Sequence, residues 1–264
     1  MRQLAGRPAL FALVGGLVVA RLAWHPGRAI CGQMTMAGCL GVAVLVVAAL
    51  VVVAWIVRAA WLAATAARAV AGLPRLAAPA ALVAAATRSG VSKVVCVAGP
   101  GASAFCAGLL RPRVFVTSGM VAALAAEELD AVLVHEAEHA RQRDPLRRLA
   151  GRAAAEVLVW LPLVGWWTSR RLEEAELAAD RAAIDRVGRT PLARALRTTA
   201  TPAEPAVGAR FDGAGPARVT QLLGDQLPPQ RPPLAACLLS LLGLTLAVSL
   251  AMCVGQGLAS AVTG

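Results

Sequence analysis

Long apolar runs mark the two ends of the chain, and shorter periodic patterns fill its middle. The run from Pro8 to Trp24 has the length of a short membrane-spanning helix. Arg21 near its end and the absence of a small-residue cleavage site favour an anchor over a signal peptide. Residues 37–57 carry no charge, and about 20 residues suffice to cross the hydrocarbon core as a helix. A third uncharged stretch runs from Pro232 to the C-terminus, its apolar part lying between Leu234 and Val254. Between these runs the pattern changes. Residues 91–98 (VSKVVCVA) and 112–117 (PRVFVT), separated by the turn-forming AGPGA, predict two strands of a small sheet. Thr117-Ser118-Gly119 opens a helical region, and an amphipathic helix follows from Ala126 to Arg143. It has acids in its first turn, apolar Leu129, Val132 and Leu133 on one face, and Pro145 marking its end. Residues 153–169 are apolar but broken by Glu156, Pro162 and Gly165. This segment is expected to lie at the membrane interface, where Trp160, Trp166 and Trp167 suit the boundary. Residues 170–187 predict a second strong helix, and 199–216 and 226–233, rich in Pro, Gly and Ala, a loop and a linker.

Composition supports lipid contact. With 58% of its 264 residues hydrophobic, the chain is more apolar than an ordinary soluble domain. The net charge of +11 resides almost entirely in arginines scattered through apolar sequence, without clusters interleaved with aromatics, so no nucleic-acid partner is expected. Those arginines set the orientation instead. Arg2 and Arg7 precede the first span, Arg58, Arg68, Arg75 and Arg88 follow the second, and Arg231 precedes the last. The loop between the first two spans holds only Arg28, with Arg21 at its edge. Basic residues stay on the cytoplasmic side, which predicts a cytoplasmic middle domain in a multi-pass protein of the cell membrane. None of the six cysteines forms a CxxC pair. Cys96 and Cys106 lie in the predicted reducing compartment, so no disulfide framework is expected.

The chemistry concentrates in His135-Glu136-Ala137-Glu138-His139. Histidines four apart project from one helix face, the spacing at which two imidazoles bind one Zn²⁺, and two of only three histidines fall in this pattern. Glu136 beside them is placed to take a proton from a water that attacks a peptide carbonyl. A catalytic site of this kind needs a third protein ligand. His25 lies in the predicted external loop, which leaves a carboxylate of the cluster Glu173, Glu174, Glu176 and Asp180. Glu176 and Asp180 share a helix face, so that Glu176 can ligate while Asp180 orients an imidazole; Glu173 shares much of that face, and spacing does not choose between the two glutamates.

The succession RPRVFVTSGM (111–120), EELDAVLVHEAEHARQRD (127–144), LVWLPLVGWW (158–167), RRLEEAELAADRAA (170–183) and ARVTQLL (217–223) resembles the membrane gluzincins. It is most similar to the antirepressor peptidases of the BlaR/MecR type, with the HtpX and prenyl-protease relatives more distant. The resemblance covers roughly residues 95–225. It implies zinc bound by His135, His139 and Glu176, with Glu136 as base and Asp180 behind an imidazole. Asp144 also matches the antirepressor pattern and is given a structural role. Two departures stand out. The sequence stops at Gly264, so the external sensor domain of the antibiotic-sensing members is not expected. The chain has no tyrosine, and its spare histidine is on the wrong side, so Arg181 or another arginine is expected to stabilise the oxyanion unless zinc acts alone.

The expected fold is α+β, mainly α: a membrane-embedded zincin domain with a small sheet and about three transmembrane helices. Residues 1–57 form the anchor (spans at about 8–24 and 37–57), 58–225 the cytoplasmic peptidase domain, and 226–264 a linker and the last span (about 234–254). The expected function is zinc-dependent endopeptidase cleavage of a protein substrate, a transcriptional repressor if the resemblance extends that far. The rivals are HtpX-like quality control of membrane proteins and a catalytically idle, metal-binding membrane scaffold. Gluzincins hold an extended peptide against a sheet edge, and the strand containing Val114, Phe115 and Val116 is the expected edge. Protein substrate and lipid bilayer are the expected partners, and the sequence is silent on oligomeric state.

Overall fold

The structure, a computed structural model, describes residues 36–199, 209–210, 216–224 and 231–263. The expected first span at 8–24 and His25 lie outside the described residues. The chain divides into two compact units, Met1–Ala54 with Leu238–Gly264, and Trp55–Cys237. Its breaks fall three residues before the expected boundary at 57/58 and twelve after that at 225/226.

In the first unit the described residues are helical. Helix α1, Met36–Ala71, begins here, and α9, Leu234–Thr263, ends here. Two stretches among the described residues, Gly41–Ala71 and Leu234–Gln256, are long and apolar enough to cross a membrane. Small side chains such as Ala43, Ser240 and Ala251 are buried, whereas Leu45, Leu241, Leu246 and Leu250 point outward. That is the reverse of a water-soluble helix and the normal state of one that faces lipid.

The second unit contains a five-stranded mixed sheet of order β1-β2-β4-β3-β5. Its strands are β1 (Arg75–Leu76), β2 (Val94–Val97), β3 (Ala104–Ala107), β4 (Arg113–Thr117) and β5 (Ala209–Arg210). Strand β4 runs parallel to β2, with Cys96 opposite Val116, and antiparallel to β3, with Phe105 opposite Phe115. The expectation that Val114, Phe115 and Val116 form an edge is therefore corrected, because they lie on the central strand. β3, in the alanine-rich AFCA, folds back through the Gly108 turn and covers the side of β4 that would otherwise be free. Gly108 has φ 106°, and a Cβ there would approach the Arg111 carbonyl oxygen to 2.8 Å.

Alternation along β4 sends Val114 and Val116 into the main core and Phe115 to the opposite face, where it stacks on Phe105 with 5.2 Å between ring centroids. The main core is completed by α2 (Ala80–Ser89), α3 (Ser118–Ala123), α4 (Ala126–Gln142), α6 (Pro162–Val187) and α7 (Arg189–Thr199), through residues such as Leu82, Met120, Leu129, Leu133, Ala183 and Leu192. On the opposite face Val70 and Leu73, at the end of α1, pack against Phe105 and Phe115. Cys96 and Cys106 are free thiols. They sit on β2 and β3 with β4 between, roughly 9–10 Å apart across two strand spacings, beyond the reach of a disulfide.

Candidate metal centre

The centre is built on two packed helices. Helix α4 starts where the Glu128 carboxylate accepts the Ala125 N–H at 3.1 Å, with Glu127 and Glu128 in its positive first turn. Its inner face buries Leu129, Val132, His135, Glu136 and His139, the last three being at most 2% exposed. The helix ends at Arg143, whose φ of 55° is left-handed, and Asp144 starts α5 (Asp144–Val157) at once. Pro145 therefore stands in the first turn of the next helix, where no N–H is required, rather than in a loop. Helix α6 begins at Pro162, eight residues before the expected helix, and presents Glu176 and Asp180 to α4.

His135, His139 and Glu176 converge. The two Nε2 atoms are 3.1 Å apart, Glu176 Oε2 is 3.5 Å from that of His135, and Glu176 Oε1 is 3.4 Å from that of His139. Behind each ring lies a buried carboxylate. His135 Nδ1 is 3.0 Å from Asp180 Oδ1, and His139 Nδ1 donates to Asp144 Oδ2 at 2.7 Å. With protons held on both Nδ1 atoms, the Nε2 lone pairs and the Glu176 carboxylate face one another, an arrangement that calls for a cation. Titration tells the same story. Burial opposes charge on His139, yet hydrogen bonds to Asp144 and Glu176 raise its pKa to about 9. Burial likewise opposes ionisation of Glu176, but hydrogen bonds from the imidazoles hold it far below the ordinary carboxylate range.

Glu136 is buried, and neither carboxylate oxygen has a hydrogen-bond partner among the described residues. Its pKa is raised, chiefly by burial and partly offset by the neighbouring imidazoles. Glu173, the alternative ligand, pairs instead with Arg170 at 2.9 Å. Arg181 is exposed, one residue and about 100° of helix turn beyond buried Asp180, and so faces away from the centre.

Two other arginines reach the centre. Arg218, on α8 (Pro216–Leu223), donates from Nε and Nη2 to the two Asp180 oxygens at 2.6 and 2.5 Å, and its Nη1 is 3.4 Å from Glu176 Oε2. Arg148 on α5 donates to Glu176 Oε1 at 2.5 Å. Sequence reasoning singled out neither; ARVTQLL was noted, but nothing in its spacing told that Arg218 turns inward. A groove of about 1660 Å³ runs beside α5, lined by Leu62 and Val70 of α1, Cys106 and Ala107 of β3, and Asp144 and Arg148 of α5. It meets the centre through Asp144 and Arg148, the partners of His139 and Glu176, while the two histidines, Glu136 and Glu176 lie behind its wall. Cys106 and Ala107 of β3 border the groove, and among the described residues the outer side of β3 pairs through Phe105 and Cys106 with the two residues of β5.

A pair of helices sharing two histidines and a glutamate under a small sheet, in a chain with two membrane-length helices, defines a membrane-associated protein with a helix-borne metal centre. The chain belongs to the BlaR1 peptidase family M56, whose family model matches residues 29–204. The match takes in both halves of the centre and bears out the BlaR/MecR-type resemblance. Membership makes the chain a peptidase in a family of membrane metallopeptidases. No curated protein matches it.

Proposed function

We propose that the chain is a zinc-dependent endopeptidase acting on a protein substrate at the membrane surface, with His135, His139 and Glu176 holding the ion and Glu136 serving as base. The donor triangle carries this reading. One donor atom from each residue lies within 4.8 Å of the other two. The imidazole nitrogens are 3.1 Å apart, close to the roughly 3.3 Å between neighbouring donors about a tetrahedral ion with zinc–ligand distances near 2.0 Å, and the Glu176 carboxylate turns one oxygen to each ring at 3.4 and 3.5 Å. Two imidazoles and one carboxylate are also a ligand set of catalytic zinc, which leaves the fourth position open. A bound zinc ion supplies Lewis-acid polarisation of the scissile carbonyl and lowers the pKa of a water toward about 7.

The remaining steps fall to the chain's own residues. A Glu136 carboxylate oxygen takes a proton from the attacking water and delivers it to the amide nitrogen as the C–N bond breaks. Its raised pKa brings it nearer the working pH, where a base is most effective. Asp144 and Asp180 keep the imidazoles in the tautomer that turns Nε2 to the metal. Arg148, lining the groove and touching Glu176, is the cation we assign to the oxyanion; Arg218 is committed to Asp180. The substrate would lie extended along the groove, beside Ala107 of β3, where the pairing with β5 has ended.

The arginine distribution supports a cytoplasmic site. A transcriptional repressor and a damaged membrane protein are the two substrate classes to test. Wild type and Glu136→Gln, purified in nanodiscs, should each carry about one zinc per chain. In cells only the wild type should generate new protein N-termini, and their identity separates the two substrate classes. Zinc in both proteins, with no cleavage by either, would favour the idle scaffold.

A further inference from the structure

The turn at 158–161 joining α5 to α6 exposes an apolar tip. Val159 is 75% exposed, and Trp160, Leu163 and Trp167 beside it are also exposed. In water such a tip is costly, and its position in the unit indicates what covers it. At the sheet end of the unit, Val70 and Leu73 pack on Phe105 and Phe115, and Val70 shares the groove with Asp144 at the start of α5. At the other end, Trp55 Nε1–H donates to the Ala150 carbonyl at 3.1 Å, and Arg58 pairs with Glu156 near the end of α5. From Val70 back to Trp55 is roughly 22 Å along the helix axis. The α5–α6 turn therefore lies beside Trp55 and Arg58, far from the sheet.

That is also where α1 changes character. Arg58 is its first charged residue, and Trp55, Ile56, Val57 and Trp61 around it are exposed and apolar. The Arg58 guanidinium lies 4.3 Å over the Trp61 ring, and that of Arg171 lies 5.2 Å from Trp167. Exposed tryptophans capped by arginines, close to a charge-free helical stretch, are what a bilayer interface selects.

We propose that the α5–α6 turn, led by Val159 and Trp160, inserts into the headgroup–acyl boundary of the bilayer into which α1 runs. The occupant of the patch is lipid, and the second contact holds the metal centre at a fixed height above the membrane. The inference is independent of zinc and of peptidase activity.

The test compares two positions that are equally exposed in the protein alone, Val159 and Leu110, each 75%, with Leu110 next to the sheet. Full-length Val159→Cys and Leu110→Cys are reconstituted in phosphatidylcholine nanodiscs, and the labelling of the parent protein is subtracted. A sulfonated maleimide should modify position 159 at least about tenfold more slowly than position 110. Bimane attached at 159 should be quenched by acyl-chain-brominated lipid, and bimane at 110 should not. Equal labelling rates would overturn the proposal. So would slow labelling without quenching at 159, which would mean that protein covers the turn.

Discussion

His139 Nδ1 and Asp144 Oδ2 lie 2.7 Å apart, both residues buried, although the chain between them leaves one helix and enters another. The contact mirrors the 3.0 Å approach of Asp180 to His135, so each imidazole has its own carboxylate. Asp144→Asn and Asp180→Asn should each weaken zinc binding about 10–100-fold, measured by competition with a chromophoric chelator. Wild-type affinity in the Asp144 variant would leave that residue only its place in the first turn of α5.

Arg148 and Arg181 make opposite predictions. Arg148→Ala should lower kcat on a cleavable protein about 10²–10³-fold while zinc content stays unchanged, and Arg148→Lys should recover part of the loss. Arg181→Ala should match wild type, because that side chain is exposed and turned from the centre. Turnover measured alongside metal analysis separates the two outcomes.

The Asp180–Arg218 pair is fully enclosed, with neither residue more than 4% exposed. Burial depresses the Arg218 pKa, but hydrogen bonding to Asp180 more than offsets it and holds the guanidinium charged. Arg218→Met leaves a buried carboxylate without its cation and should cost about 3–5 kcal/mol, seen as a lower thermal midpoint. Adding Asp180→Asn removes the orphaned charge and should restore much of that loss. A single variant as stable as wild type would remove Arg218 from the support of the centre.

The Cys106 thiol is pushed up to about 12, mainly by burial and further by the negative charges of Glu136 and Asp144. Cys96 is raised by burial as well. Thiolate is scarce below a raised pKa, so at pH 8 both cysteines should resist iodoacetamide in the folded protein and react once it is denatured. Peptide mass spectrometry reads both. Rapid alkylation of Cys106 in the native state would mean that the edge of β3 opens.

The legible parts of the centre were those fixed by helix periodicity. His135, Glu136 and His139 need only a 3.6-residue repeat to share a face, and Glu176 and Asp180 follow the same rule. Spacing left Glu173 in play because three residues and four both stay near one face; it is Glu176 that converges with the two imidazoles, while Glu173 pairs with Arg170. The double role of Asp144 depends on a left-handed arginine, a conformation that no pattern of apolar positions encodes. Arg148 and Arg218 reach the centre from other helices, so only tertiary packing shows which arginines turn inward. The second apolar run and the last were legible as membrane-length helices because each holds about 20 or more apolar residues without a break. Strand β3 was not, since AFCA has weak intrinsic preference for extension and becomes a strand by pairing with β4. Missing it and β5 placed the sheet edge two strands too far inward.

The left-handed turn at Arg143 also sets a rule of length. From His135 to Asp144 the chain works as a caliper: one jaw carries the imidazoles, the other the carboxylate behind the second ring, and a single residue forms the pivot. A residue inserted at the pivot would swing Asp144 off His139, and one deleted would drive α5 into the end of α4. Substitutions on the outer faces of these helices leave the jaws as they are. The segment therefore tolerates exchange of residues far better than any change in their number.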